Sequence, residues 1–123
     1  MLFNQKCFNM RMITIEGLPP TLNIYYAGKH WSARKKDVDY WHELIHWHLL
    51  EAKIEKPLDY PIEVWVVEYC KRLRDSDSAV IAVKLFGDSL VKGGWLPDDS
   101  PKYIEAVHLT CKKANKNYLE IMF

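Results

Sequence analysis

The sequence is poor in the features that mark specialised protein classes. Across 123 residues there are only three cysteines, and Cys7, Cys70 and Cys111 lack CxxC spacing. An odd, dispersed set encodes neither a disulfide framework nor a cysteine zinc site, so structural thiols are expected. No apolar run approaches the roughly 20 residues that cross a bilayer. Met1 to Met12 (MLFNQKCFNMRM) is too polar for a signal peptide, so a cytoplasmic protein with no membrane partner is expected. No repeat, low-complexity tract or Pro/Gly/Ser-rich linker divides the chain, which predicts one domain over residues 11–123 behind a flexible N-terminal segment, 1–10. An excess of charge of one sign is missing too: 17 Lys and Arg face 16 Asp and Glu. That balance argues neither for nor against nucleic acid, because a near-neutral sum hides local segregation.

What the sequence does have is a 49% hydrophobic composition, enough for one compact core, and strongly segregated charge. Lys29, Arg34, Lys35 and Lys36 form one basic cluster. Lys71, Arg72 and Arg74 form a second, and Lys112, Lys113 and Lys116 a third. Acidic residues gather at Asp75, Asp77, Asp88, Asp98 and Asp99.

Periodicity orders the elements. Met12 to Leu18 alternates and is β-branched, reading as a short strand ended by Pro19-Pro20. Arg34 to Ile54 places Trp41, Leu44, Ile45, His48, Leu49 and Ala52 at helical spacing, and Lys56-Pro57 is expected to stop that helix. Ile62 to Cys70 (IEVWVVEYC) is β-branched and aromatic on both faces, which suits a central strand. Ser78 to Lys92 fits a helix packed on the sheet, with Gly93-Gly94 as its stop. Tyr103 to Lys112 and Tyr118 to Phe123 read as strands joined by the turn-prone 114–117, suggesting a terminal hairpin. The expected fold is a single α+β domain of order β-α-β-α-β-β, a mixed sheet with helices packed on it.

Asp75 and Asp77 lie just beyond the central strand, where an extended chain points both carboxylates to one side. A fold-back at Gly93-Gly94 would bring Asp98 and Asp99 to the same end. Ionised carboxylates about 5 Å apart repel by about 3 kcal/mol at an effective dielectric of roughly 20, so such a cluster calls for a counter-charge. A hard cation such as Mg²⁺ meets that need with oxygen ligands. Lys84 follows Asp77 by seven residues, roughly 10 Å up one helix face, with its stem leaning back toward the cluster. A carboxylate-bound metal beside a lysine and basic patches is equipment for phosphodiester hydrolysis. The plainer reading makes Asp75 or Asp77 the N-cap of the second helix and Lys84 an i,i+4 partner of Asp88.

His42-Glu43-Leu44-Ile45-His46 matches the HExxH zinc-peptidase pattern within a predicted helix. A third ligand is not evident. His48 points elsewhere, and Glu51 lies about 140° round the helix from His46. Surface or interface histidines are the plainer expectation; His30 and His108 are isolated.

The string RDSDSAVIAVKLFGDSLVKGGWLPDDS, Arg74 to Ser100, resembles the signature of the RusA family of Holliday junction resolvases, common in bacteriophages and prophages. That family carries a D-x-D-N pair, a downstream lysine, a D-x-L and a D-D-S after a loop. Leu18-Pro19-Pro20-Thr21-Leu22-Asn23, followed by His30-Trp31-Ser32-Ala33-Arg34, is similar to its proline-asparagine motif and basic continuation. The resemblance implies a homodimeric, Mg²⁺-dependent endodeoxyribonuclease, with Mn²⁺ as a substitute, that cleaves four-way DNA junctions symmetrically in recombination and repair. It further implies Asp75, Asp77 and Asp99 as metal-binding catalytic carboxylates, Lys84 as the catalytic lysine, and Asp88 and Asp98 as supporting acids. Two departures are visible: Ser78 stands where the family usually has asparagine, and Lys84 lies farther from Asp77 than one helical turn.

A two-fold junction suits a two-fold protein. The Trp41, Trp47 and Leu50 face or the terminal hairpin is expected to form the dimer interface. Lys29, Arg34, Lys35, Lys36, Lys71, Arg72 and Arg74 are the expected phosphate contacts. The rival readings are a branched-DNA-binding module without catalysis, and a zinc metallopeptidase at HELIH.

Overall fold

A computed structural model describes residues 10–20 and 31–123, with the backbone alone for 31–34, 76 and 77. Lys29 and His30 lie outside the described residues, as do the side chains of Arg34 and Asp77. The elements run β1 (Met12–Glu16), α1 (Trp31–Glu51), β2 (Ile62–Cys70), a 3-10 turn (Ser76–Ala79), α2 (Val80–Lys92), β3 (Ile104–Lys113) and β4 (Tyr118–Met122). This is the expected order in one α+β domain.

The sheet is mixed and four-stranded, in the order β1-β4-β2-β3. β2 is central, parallel to β3 and antiparallel to β4. The expected terminal hairpin does not form: β4 lies between β1 and β2, and β3 is an edge. The physical reason is apolar content. β4 buries Leu119 and Ile121, followed by Phe123, whereas β3 carries Glu105, His108, Lys112 and Lys113 on exposed positions. Residues 114–117 therefore cross the end of β2, a span of about 10 Å that four residues cover. Asn117 fastens the crossing, its backbone O accepting from Gly17 N at 3.0 Å and its side-chain Oδ1 from Lys71 N at 2.8 Å.

One side of the sheet, Ile13 and Ile15, Ile62, Val64 and Val66, Leu119 and Ile121, builds a single core with the helices. Trp41, Ile45 and Leu49 enter from α1 at i, i+4 and i+8. Ile81, Ala82, Leu85, Phe86 and Leu90 enter from α2. Trp41 is 7% exposed and belongs to this core, so that of the expected Trp41, Trp47 and Leu50 face only Trp47 and Leu50 are exposed, joined by Tyr40 among the described side chains of α1. The opposite sheet face carries Trp65 stacked on His108 at 4.9 Å and Tyr69 stacked on Tyr118 at 4.2 Å.

Both helices end in the same hydrogen-bonded form. In α2, Trp95 N donates to Leu90 O at 2.9 Å and Gly94 N to Val91 O at 3.2 Å, with Gly94 left-handed at φ 84°. In α1, Ile54 N donates to Leu49 O and Lys53 N to Leu50 O, and Lys53 takes the left-handed position at φ 57°. The first helix thus stops before Lys56-Pro57, at a residue that bears a Cβ. Trp95, fully buried, joins the two ends: its Nε1 donates to Ile54 O at 3.0 Å, and Lys56 Nζ lies 4.3 Å above its ring. Gly93 is right-handed and is needed for another reason, since a methyl there would overlap the Trp95 ring.

The two helix ends respond oppositely to substitution. Lys53→Gly is expected to raise the unfolding free energy by about 1 kcal/mol, by relieving the left-handed conformation. Gly93→Ala is expected to lower it by about 3 kcal/mol, because a buried indole must move. Urea denaturation of both variants checks the pair.

Candidate active site at the exit of β2

The alternation that sends Ile62, Val64 and Val66 into the core also sends Glu68 inward, and it is 0% exposed. Burying a carboxylate is costly unless it is paired and hydrogen-bonded. Each oxygen of Glu68 is met. Ser78 Oγ donates to Oε1 at 2.7 Å, and Arg74 Nη2 donates to Oε2 at 3.2 Å. The thiol of Cys111, on β3, lies 3.7 Å from Oε1. Arg74 also donates to Pro19 O at 3.0 Å, joining the residues after β1 to the same network. Burial, together with the Glu68 charge, pushes the Cys111 thiol up from its ordinary value and keeps it a neutral donor.

These bonds frame Asp75-Ser76-Asp77. Asp75 O accepts from Ser78 N at 2.9 Å, closing the 3-10 turn, and from Cys111 Sγ at 3.4 Å. The segment is therefore pinned to the ends of β2 and β3. The Asp75 side chain is exposed, and its carboxylate has no hydrogen bond or ion pair among the described residues. Helix α2 starts after Ala79 without a side-chain cap, so Asp75 does not serve as its N-cap. Around this end stand the second and third basic clusters. Lys71, Arg72, Leu73, Arg74, Leu18 and Asn117 line a groove of about 500 Å³. Cys70 pairs with Lys113 across the β2/β3 ladder, and Lys112, Lys113 and Lys116 are exposed beside it. Arg74 differs from its neighbours, because its guanidinium is turned inward to Glu68 and Pro19.

The remaining acidic residues lie along α2. Asp99 packs against the backbone of Gly87: a Cβ there would sit 3.6 Å from both Cβ and Oδ2 of Asp99. The loop after α2 thus folds back alongside the helix as far as Gly87, about 10 Å up the axis from Val80. Lys84 is exposed, one turn before Gly87, and makes no ion pair among the described residues. Asp88 turns toward His42 instead, with 3.6 Å between Oδ2 and Nε2. Asp98 is exposed. Among the described residues, no group of three or more His, Cys, Asp or Glu stands close enough to hold a metal. The set read from the sequence includes Asp77, whose side chain lies outside them. Carboxylate oxygens are nonetheless its only donors, a chemistry that matches a hard divalent cation.

The HELIH histidines have separate surroundings. His46 meets Trp95 edge-on at 5.5 Å. His42 lies between the helices, and neither of its ring nitrogens has a hydrogen-bond partner among the described residues. With Asp39, Glu43, Ser89 and Lys92 they line a second groove, of about 340 Å³. Of the first basic cluster, Lys35 pairs with Asp39 at 3.0 Å and Lys36 is exposed. His108 bonds Glu63 at 3.0 Å on the open sheet face.

Glu68 escapes the sequence reading, although the parity of β2 carries its signal: a carboxylate on the inward register of an apolar strand needs partners. Cys111 is the structural thiol expected, with Glu68 as its partner. Neither a protein-family model nor a curated protein sequence matches the chain.

Burial lowers His42 below its ordinary value of 6.5, with Lys92 acting in the same direction and Asp88 against it. The folded state therefore favours neutral His42, and the unfolded chain takes up its proton first as pH falls. The contribution is full above 6.5 and is lost as pH falls below that value toward the folded pKa. Denaturation between pH 7.5 and 5 should show this loss in the native protein, and a smaller loss in His42→Phe.

Proposed function

We propose that the protein is a structure-selective, Mg²⁺-dependent endodeoxyribonuclease that resolves four-way DNA junctions as a homodimer in the cytoplasm, in recombination and repair. The observation that carries this reading is the exposed carboxylate of Asp75, without a partner among the described residues, on a segment pinned from beneath by Glu68, Ser78 and Cys111 and rimmed by basic side chains. An acidic segment tied at both ends within a cationic rim suits a phosphodiester: the rim attracts the polyanion and the acids address one phosphate.

Asp75, Asp77 and Asp99 would hold Mg²⁺, or Mn²⁺ in its place. The ion would supply an activated water and charge stabilisation at the phosphate. Lys84, exposed and free of ion pairs among the described residues, offers its ammonium to the same phosphate. Lys71 and Arg72 take the neighbouring phosphates, while Arg74 acts from beneath through its bond to Glu68. Junction preference then follows from shape and backbone contacts, with two sites of a dimer facing two equivalent strands.

A branched-DNA-binding module without catalysis is the second reading. It is favoured by one observation, the position of Asp99 beside Gly87, well up α2 from the 3-10 turn. A nicking assay separates the two, using a synthetic four-way junction against a linear duplex of the same arms, with and without Mg²⁺. The native protein is expected to nick the junction in Mg²⁺ only. Asp77→Asn is expected to keep junction binding while cleavage falls by orders of magnitude. Full cleavage by Asp77→Asn would defeat the metal assignment, and binding without nicking in Mg²⁺ or Mn²⁺ would leave the second reading.

A further inference from the structure

Glu68 has no direct part in that chemistry, and its burial demands a reason. A buried ion pair is a poor source of stability, and an apolar residue at 68 would extend the Ile62, Val64, Val66 pattern with no charge to desolvate. The partners of Glu68 suggest what the charge does. Arg74 immediately precedes Asp75, and Ser78 immediately follows Asp77. Oε2 holds Arg74 at 3.2 Å and Oε1 holds Ser78 at 2.7 Å, so one carboxylate grips the chain on both sides of Asp75-Ser76-Asp77. Cys111 adds a third tie, its thiol shared between Glu68 and Asp75 O.

We infer that Glu68 is a positioning residue, whose two oxygens bracket the Asp75-Asp77 segment through Arg74 and Ser78 and so fix the course of the backbone that carries the two aspartates. The backbone part of this inference stands on the hydrogen bonds alone; its consequence for turnover rests on the nuclease reading. A backbone held on both sides by one buried carboxylate needs less reorganisation when a cation and a phosphate bind. Loosening either grip leaves the surface charge intact and lets the segment wander. Phosphate contacts by the basic rim are unaffected.

The test uses the full chain and three substitutions: Glu68→Gln, which keeps the size and removes the charge; Ser78→Ala, which removes the hydroxyl; and Ser78→Thr, which keeps it. Backbone amide exchange is measured over residues 75–79 and over β2 and β4. Single-turnover nicking of a four-way junction is measured across a Mg²⁺ titration, alongside junction affinity. Glu68→Gln and Ser78→Ala are expected to speed exchange at 75–79 about tenfold while β2 and β4 keep their protection. They are also expected to slow nicking by about tenfold or more and raise the half-saturating Mg²⁺, with junction affinity unchanged. Ser78→Thr is expected to restore both readouts. Unchanged exchange at 75–79 in Glu68→Gln and Ser78→Ala would overturn the inference whether or not the protein cuts DNA, as would a Ser78→Thr that behaves like Ser78→Ala. A native protein that never nicks would overturn the nuclease reading alone, with the exchange measurement still deciding the role of Glu68.

Discussion

The fully buried carboxylate of Glu68 is the constraint on which one end of the molecule depends. A charge placed in the core at that point must find donors, and the donors come from three separate stretches of the chain. Arg74 arrives from the loop after β2 and brings Pro19 with it, Ser78 comes from the 3-10 turn, and Cys111 from β3. Each donor commits its own stretch of backbone. The Asp75-Asp77 segment has its course set by these commitments rather than by local propensity.

At the other end, the organising group is Trp95. Its burial between the two helix ends is possible because Gly93 has no side chain and because Gly94 and Lys53 turn the chain left-handed. The indole then fastens Ile54 and anchors the start of the loop that carries Asp98 and Asp99. The Asp99 side chain then packs beside Gly87 on α2. The acidic residues thus depend on two separate pieces of packing, one at each end of α2. In one, polar groups satisfy a charge; in the other, an aromatic ring fills a volume.

Much of the fold was legible because its elements are strongly patterned. The bounds of β2 follow from IEVWVVEYC alone, and the order β-α-β-α-β-β follows from turn residues and periodicity. The terminal hairpin was misread because Ala114 to Asn117 carries the same turn chemistry whether it joins neighbouring strands or crosses over one. Only the apolar content of β4 against the charge of β3 decides, and that is a property of the whole sheet. The end of α1 was misplaced by three residues, Ile54 against Glu51, because Lys53 occupies a position where glycine is the usual signal. At the candidate site, the sequence marked the aspartates and the basic clusters but not their supports. An i,i+4 pair of histidines is legible on any helix, whereas the partition of His42 to Asp88 and His46 to Trp95 depends on what the helix packs against.

Locating a bound cation decides most directly whether the aspartates form one site. Mn²⁺ titrated into isotope-labelled protein broadens amide resonances near its site. Broadening is expected to begin at Asp75, Ser78, Gly87 and Asp99. Broadening centred on His42 and His46, or none at the exit of β2, would rule out a carboxylate-bound cation there.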